Sequence, residues 1–225
     1  MNVQIVSATR STPGDFQSQT ALGISLERLA HDRRMTVTVA TSNSRGLPLV
    51  YNEMIDQAAD DTVLVFVHDD VWIDDYYLIQ RVIEGLERFD VIGIAGNCRR
   101  VPHQPGWYFR NIEGQPDAPE NLSGLVACGP QPGGEVKYFG PVPAACELLD
   151  GVFLAAKKST LARHAVRFDP RFDFHFYDLD FCRTARHNGL QLGTWPICLT
   201  HQSNGIFGTV EWQMNHEKYL RKWGE

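Results

Sequence analysis

Val63, Leu64, Val65, Phe66 and Val67 form an unbroken apolar run that ends on His68-Asp69-Asp70. A continuous β-branched and aromatic run predicts a strand buried on both faces, as inside a parallel sheet. The C-terminal edge of such a sheet is where open α/β folds bind ligands. Two adjacent carboxylates at that edge repel each other, and a divalent cation is a common compensation where phosphate groups are handled. The same acids also suit a plainer role, because Asp caps helices and Asp74-Asp75 follow closely.

The flanking sequence extends this strand into an α/β pattern. Residues 3–8 predict a first strand and residues 9–20 a polar turn region around Pro13 and Gly14. Leu22, Leu26 and Leu29 give residues 21–30 helical spacing. A second strand is expected over 35–40, a polar loop over 41–47, and a helix over 48–59. Beyond the central strand, residues 76–88 read as an amphipathic helix and 91–95 as a fourth buried strand. Strands and helices thus alternate at βαβ spacing. Residues 97–145 differ. They are rich in Gly, Pro and aromatic side chains, a composition that fits either a functional segment or a set of short strands. Regular signals return as a strand over 148–156, a short helix over 159–164, and a helix over 178–189 opened by acids and closed by Asn188-Gly189. A strand over 190–199 and a helix over 211–223 complete the chain.

At 225 residues the chain is long enough for one full core, and one domain over 1–225 is expected. A net charge of -6 argues against general nucleic-acid binding, which needs a basic surface. The five cysteines are scattered, odd in number and without a CxxC pair, which fits free thiols in a reducing compartment. Residues 1–6 lack the apolar core of a signal peptide, and no apolar run approaches a membrane span. A cytoplasmic location is the expectation.

Several local features follow one another in a fixed order. Asn43-Ser44-Arg45-Gly46-Leu47 and Tyr51-Asn52-Glu53 precede His68-Asp69-Asp70. Asp150-Gly151, Arg167-Phe168-Asp169 and the run Phe176-Tyr177-Asp178-Leu179-Asp180-Phe181-Cys182-Arg183 come next, with His201 and Lys222-Trp223 closing the series. In this order the sequence resembles a family 2-type glycosyltransferase with the GT-A fold. The resemblance covers most of the chain and is weakest over 97–145.

The resemblance implies a mostly parallel, Rossmann-like central sheet flanked by helices. It implies a nucleotide-sugar-binding half over 1–96 and an acceptor-binding and catalytic half over 97–225. It places Asp70 on a Mn²⁺ or Mg²⁺ ion, with His201 completing metal or diphosphate binding, and Asp69 beside them in the donor site. Asp178 takes the position of the general base, Asp180 that of a later acid. Asp150 and Gly151 fall near the donor or acceptor sugar. Two positions depart from the family pattern: His68 stands where the first Asp of the strand-end motif is usual, and Tyr177 where Glu usually precedes the base. The donor expected is a nucleotide sugar, a UDP-sugar in the first place, and the partner a glycan acceptor, as in polysaccharide or surface-glycan assembly.

The chemistry fits these residue types independently. A departing diphosphate needs its charge neutralised, which a hard cation on carboxylate oxygens provides, and one imidazole is more acceptable to Mn²⁺ than to Mg²⁺. A hydroxyl acceptor needs a base, and in-line attack inverts the anomeric centre. Ser7, Thr9 and Asn43 lie at the ends of the first two predicted strands, where a base and ribose would sit. Plainer roles stay open at several positions. Asp178 and Asp180 equally suit the first turn of a helix, His201 a structural hydrogen bond, and Asp150-Gly151 and Asn43 turns. Trp107, Tyr108 and Trp195 suit sugar stacking or a core, and Arg99-Arg100 a diphosphate contact or a solvated pair. Two other functions share the fold. A sugar nucleotidyltransferase would carry a Gly-rich phosphate loop after the first strand, and residues 8–14 match it poorly. A non-catalytic carbohydrate- or nucleotide-binding protein is compatible with the departures at His68 and Tyr177.

Overall fold

The computed structural model describes residues 1–203 and 205–225. Its first part runs β1 (Val3–Ala8), α1 (Pro13–Gln19), α2 (Ala21–Leu29), β2 (Met35–Ala40), α3 (Leu47–Gln57), β3 (Val63–Val67), β4 (Val71–Ile73), α4 (Leu78–Arg88), β5 (Val91–Gly93) and β6 (Ala95–Asn97). The second part adds β7 (Leu122–Cys128), β8 (Glu135–Gly140), β9 (Ala145–Cys146), β10 (Leu148–Leu149), β11 (Phe153–Lys157), α5 (Lys158–Arg163), α6 (Tyr177–His187), β12 (Leu192–Thr194), β13 (Leu199–His201) and α7 (Val210–Trp223).

The central sheet has the order β2-β1-β3-β11-β5-β12-β9. β1 is parallel to β2 and β3, and β5 to β12, while β11 runs antiparallel between β3 and β5. β3 is buried on both faces, as its composition requires. Val63, Val65 and Val67 pack with Leu22, Leu26, Ile79 and Val82 of α2 and α4, whereas Leu64 and Phe66 pack with Tyr51, Phe168 and Phe181. A second sheet, β10-β6-β7-β13-β4 with β8 paired to β7, stands beside the first.

The structure corrects several expected elements. Residues 9–20 are not only a turn, because α1 forms there. The Thr12 side chain caps it by accepting from Asp15 N–H, and Pro13 occupies the first turn. The single strands expected over 91–95, 148–156 and 190–199 are each two short strands. In each case one piece belongs to the central sheet and the other to the second sheet. The chain changes sheets at these breaks, and Asp150-Gly151 is the link between β10 and β11. The segment 97–145 contributes β7 and β8, an antiparallel pair.

Helix α7 fixes the start of α6 from two directions. Phe176, the residue before α6, has φ +66°, a conformation strained for a bulky side chain. Its ring is buried against Trp212, His216 and Tyr219 of α7, which holds it there. One turn into α6, Asp180 has no exposed surface. Lys222 Nζ donates to it at 2.7 Å and Trp223 Nε1 at 2.9 Å, and Lys222 also donates to Asp169 at 2.8 Å. Burial nonetheless pushes the Asp180 carboxyl above its ordinary pKa. Lys222→Met leaves this carboxylate without its counter-charge, so the expected loss is about 3 kcal/mol, read as a lower denaturation midpoint in urea.

Candidate active site

The end of β3 is brought to His201 by strand pairing. After Val67 the chain turns through Asp69-Asp70 into β4, which pairs antiparallel with β13 so that Val71 faces His201. Gln202 N–H donates to the Asp70 carbonyl at 3.0 Å. His201 Nε2 then lies 3.3 Å from Asp70 Oδ2. His68, Asp70 and His201 each offer one ligand atom, all within 4.8 Å of one another. The other carboxylate oxygen, Asp70 Oδ1, is buried with no hydrogen-bond partner among the described residues. A cation is the chemistry that such an orphaned oxygen beside two imidazoles accommodates, so these residues fit a divalent metal.

The electrostatics divide the cluster. Burial works against ionised Asp70, but the hydrogen bond and charge of His201 outweigh it and hold the carboxyl at about 2. Burial likewise works against protonated His201, yet Asp70 raises its pKa overall. For His68, burial prevails over the nearby carboxylates and lowers the pKa, keeping the ring neutral.

Asp178 sits in the first turn of α6, with Oδ2 accepting from Gly151 N–H at 3.1 Å. Burial first, and the negative charge of Asp150 second, push its carboxyl up to about 7. Asp150 is itself held by Val152 N–H, which donates to Oδ1 at 3.0 Å. Tyr177 links the two halves of the site. Its hydroxyl donates to the Gly151 carbonyl at 2.8 Å and lies 2.8 Å from His68 Nε2. Gly151 is required by this closeness, since a Cβ there would stand 2.5 Å from the Tyr177 oxygen and 2.7 Å from Asp178 Cβ.

His68, Asp150, Gly151, Asp178 and His201 all line one cavity of about 690 Å³. The segment 97–145 supplies much of the opposite wall, including Trp107, Tyr108, Phe109 and Phe139. Phe174, Phe207 and Lys137 also line it, residues that no local sequence pattern singles out. Ser7, Thr9 and Asn43 do not line the cavity. They lie at the ends of β1 and β2, where Asn43 N–H donates to the Thr9 carbonyl at 2.8 Å. The Asn43 side chain bonds Arg45 N–H and C=O within its own turn, using one of its two N–H groups, and Thr9 Oγ1 accepts from Ser11 N–H. Ser7 Oγ is buried without a partner among the described residues. Asp69 anchors the turn through its carbonyl, which accepts from Leu22 N–H at 3.1 Å. Arg99 and Arg100 are engaged in ion pairs, with Asp117 and Glu225. Trp195 packs against Gly85 and belongs to the core rather than the cavity.

A model of the Glycosyltransferase like family matches residues 24–223, and the chain belongs to that family. No curated protein sequence matches it. Among solved structures, it is similar to GalNAc-T7, crystallised with UDP, GalNAc and Mn²⁺. The identity is 11% over 98% of this chain and 48% of that one, with a TM-score of 0.55. It is similar to the mannosyltransferase PcManGT from Pyrobaculum calidifontis, in complex with GDP-Man and Mn²⁺. Here the identity is 11% over 97% of this chain and 61% of that one, with a TM-score of 0.54. Likeness to S. aureus TarS is 12% identity over 90% of this chain and 37% of that one, with a TM-score of 0.50. At such identities the likeness is one of fold, and the fold is the GT-A arrangement expected from the sequence. The chain spans about half the length of the first of these structures. No helix among the described residues is long and apolar enough to cross a membrane.

Gly151→Ala tests the packing at the centre of the site. The added methyl must displace the Tyr177 hydroxyl and the Asp178 side chain together. The expected cost is about 1–3 kcal/mol of stability, read as a lower melting temperature.

Proposed function

We propose that this protein transfers a sugar from a nucleotide-diphosphate donor, a UDP-sugar in the first place, to the hydroxyl of a glycan acceptor, with inversion at the anomeric carbon. One observation carries the reading: the two histidines of a metal-capable cluster and a carboxylate suited to act as a base line the same cavity, beside the C-terminal end of β3. Asp70 and His201, with His68 beside them, would hold Mn²⁺ or Mg²⁺. Such an ion supplies neutralisation of the charge that develops on the leaving diphosphate.

The chain's own residues do the rest. Asp178 accepts the proton of the acceptor hydroxyl, and its raised pKa makes it a stronger base than an ordinary carboxylate. The Gly151 amide fixes Oδ2 of that base. Attack from the face opposite the diphosphate inverts the configuration. The aromatic wall of Trp107, Tyr108 and Phe139 offers ring faces on which an acceptor sugar can stack. Ser7, Thr9, Asn43 and Asp69, on the neighbouring strand ends, are assigned to the nucleoside part of the donor, and Asp150 to the sugar hydroxyls.

Release of nucleoside diphosphate from a panel of UDP- and GDP-sugars with Mn²⁺ tests this. Turnover of at least one donor is expected, and a protein that neither turns over nor binds any nucleotide overturns it. Asp178→Asn should lower transfer by about 10²–10⁴-fold. The wild-type rate should rise with pH and level off above about 7, where Asp178 is ionised.

The same shift has a stability consequence. Because the folded-state pKa is raised from 3.8 to about 7, the folded form is favoured by the protonated acid. That contribution is full at low pH and is lost as pH rises through about 7. Asp178→Asn should therefore melt at a higher temperature than wild type at pH 8, with the difference shrinking towards pH 4. A variant that melts lower at both pH values contradicts the assignment of a strained, buried base.

A further inference from the structure

His68 and Tyr177 are the two positions at which the chain departs from the pattern it otherwise follows, and their side chains meet. They are 109 residues apart in sequence, yet the Tyr177 hydroxyl is 2.8 Å from His68 Nε2. That hydroxyl carries a single proton. The Gly151 carbonyl can only accept, lies 2.8 Å away, and has no other donor among the described residues. Tyr177 is buried, so leaving this carbonyl unpaired would be costly. The hydroxyl proton therefore goes to Gly151, and the tyrosine oxygen accepts from His68. The ring of His68 must then carry its proton on Nε2, which leaves Nδ1 with the free lone pair.

We infer that Tyr177 is a positioning residue for the metal centre: it fixes the His68 tautomer so that Nδ1 is a ligand, and the centre becomes one of two nitrogens and one carboxylate, selective for Mn²⁺ over Mg²⁺. The inference rests on the metal reading under Proposed function and goes beyond it. A ligating histidine usually donates its other ring N–H to a fixed acceptor, which sets the ring and its basicity, and here Tyr177 provides that acceptor. An all-oxygen centre suits Mg²⁺, whereas two imidazoles move preference towards transition ions. Gly151 completes the arrangement. The glycine whose carbonyl takes the tyrosine proton is also the one whose amide holds Asp178, so one turn of backbone orients both the metal ligand and the base.

The test is binding of Mn²⁺ alone to the full chain, followed by electron paramagnetic resonance, with spin-echo modulation to count coordinated nitrogens. Wild type should bind Mn²⁺ with two nitrogens and resist displacement by a large excess of Mg²⁺. Tyr177→Phe keeps the ring in its packing and removes the acceptor. It should weaken Mn²⁺ by about 10–100-fold and reduce the count to one nitrogen. His68→Asp, which removes the nitrogen directly, should also show one nitrogen and a narrower preference between Mn²⁺ and Mg²⁺. Should Tyr177→Phe keep both nitrogens and the wild-type affinity, or His68→Asp keep the wild-type preference, Tyr177 does not position a ligand. Wild type that binds Mn²⁺ with one nitrogen removes His68 from the centre and overturns this inference alone. Wild type that binds no Mn²⁺ overturns the metal reading along with it.

Discussion

Asp180 is a carboxylate with no exposed surface, and the placement of the candidate base depends on how it is compensated. Lys222 and Trp223, near the end of α7, both donate to it. A buried acid of this kind contributes little net stability, since desolvation offsets most of the attraction. What it provides is location. Among the described residues, the cation hydrogen-bonded to Asp180 is Lys222 of α7, and this pairing lays α7 across the start of α6. With α7 in place, Trp212, His216 and Tyr219 close over Phe176 and hold its left-handed backbone. Tyr177 and Asp178, the next two residues, are thereby turned towards Gly151 and the cavity. The strain at Phe176 is sustained by packing that the ion pair brings into register.

The same logic of compensation runs through the rest of the site. Four carboxylates, Asp69, Asp70, Asp150 and Asp178, gather near the end of β3. They are not handled alike. Asp70 is kept ionised by His201. Asp150 is held by a backbone amide. Asp178 is held by backbone amides, that of Gly151 among them, with no cation beside it among the described residues, and the neighbouring charge of Asp150 adds to its burial. Buried beside the charge of Asp150, the Asp178 carboxyl has a proton affinity that reaches the neutral range, which is the property a general base requires. The acid proposed to hold a metal and the acid proposed as base are thus the same residue type set apart by their surroundings.

Most of the architecture was legible from periodicity. The strands Val3–Ala8, Met35–Ala40 and Val63–Val67 have the boundaries expected, because each is a clean β-branched run bounded by polar turns. The three split strands share one cause. An apolar run cannot show where a chain leaves one sheet for another, since both pieces are equally buried, and so 91–95, 148–156 and 190–199 each read as one strand. The α1 helix was obscured by Pro13 and Gly14, which also read as a turn. Its evidence lay in the Thr12 cap and in the preference of proline for a first helical turn. The candidate site could be proposed from sequence where its residues sit at strand and helix ends, as Asp70, Asp178 and His201 do. It was illegible along the cavity wall, because Phe174, Phe207, Lys137 and Phe139 come from separate loops and strands that only the fold brings together.

His68 and Tyr177 show most clearly what sequence order leaves out. Read singly, each is a defect: an imidazole in place of a carboxylate, and a phenol in place of an acid. Each would weaken a metal or donor site if the other position kept its usual residue. An aspartate at 68 could not donate a proton to Tyr177, and a glutamate at 177 would press a further negative charge on Asp150 and Asp178. Together the two side chains satisfy each other and the Gly151 carbonyl without adding any net charge to a crowded acidic pocket. The two residues thus act as one unit built from two distant positions. Under the proposed metal reading, nitrogen ligation by His68 stands in for a carboxylate, and a neutral side chain at Tyr177 spares Asp178 a further neighbouring charge.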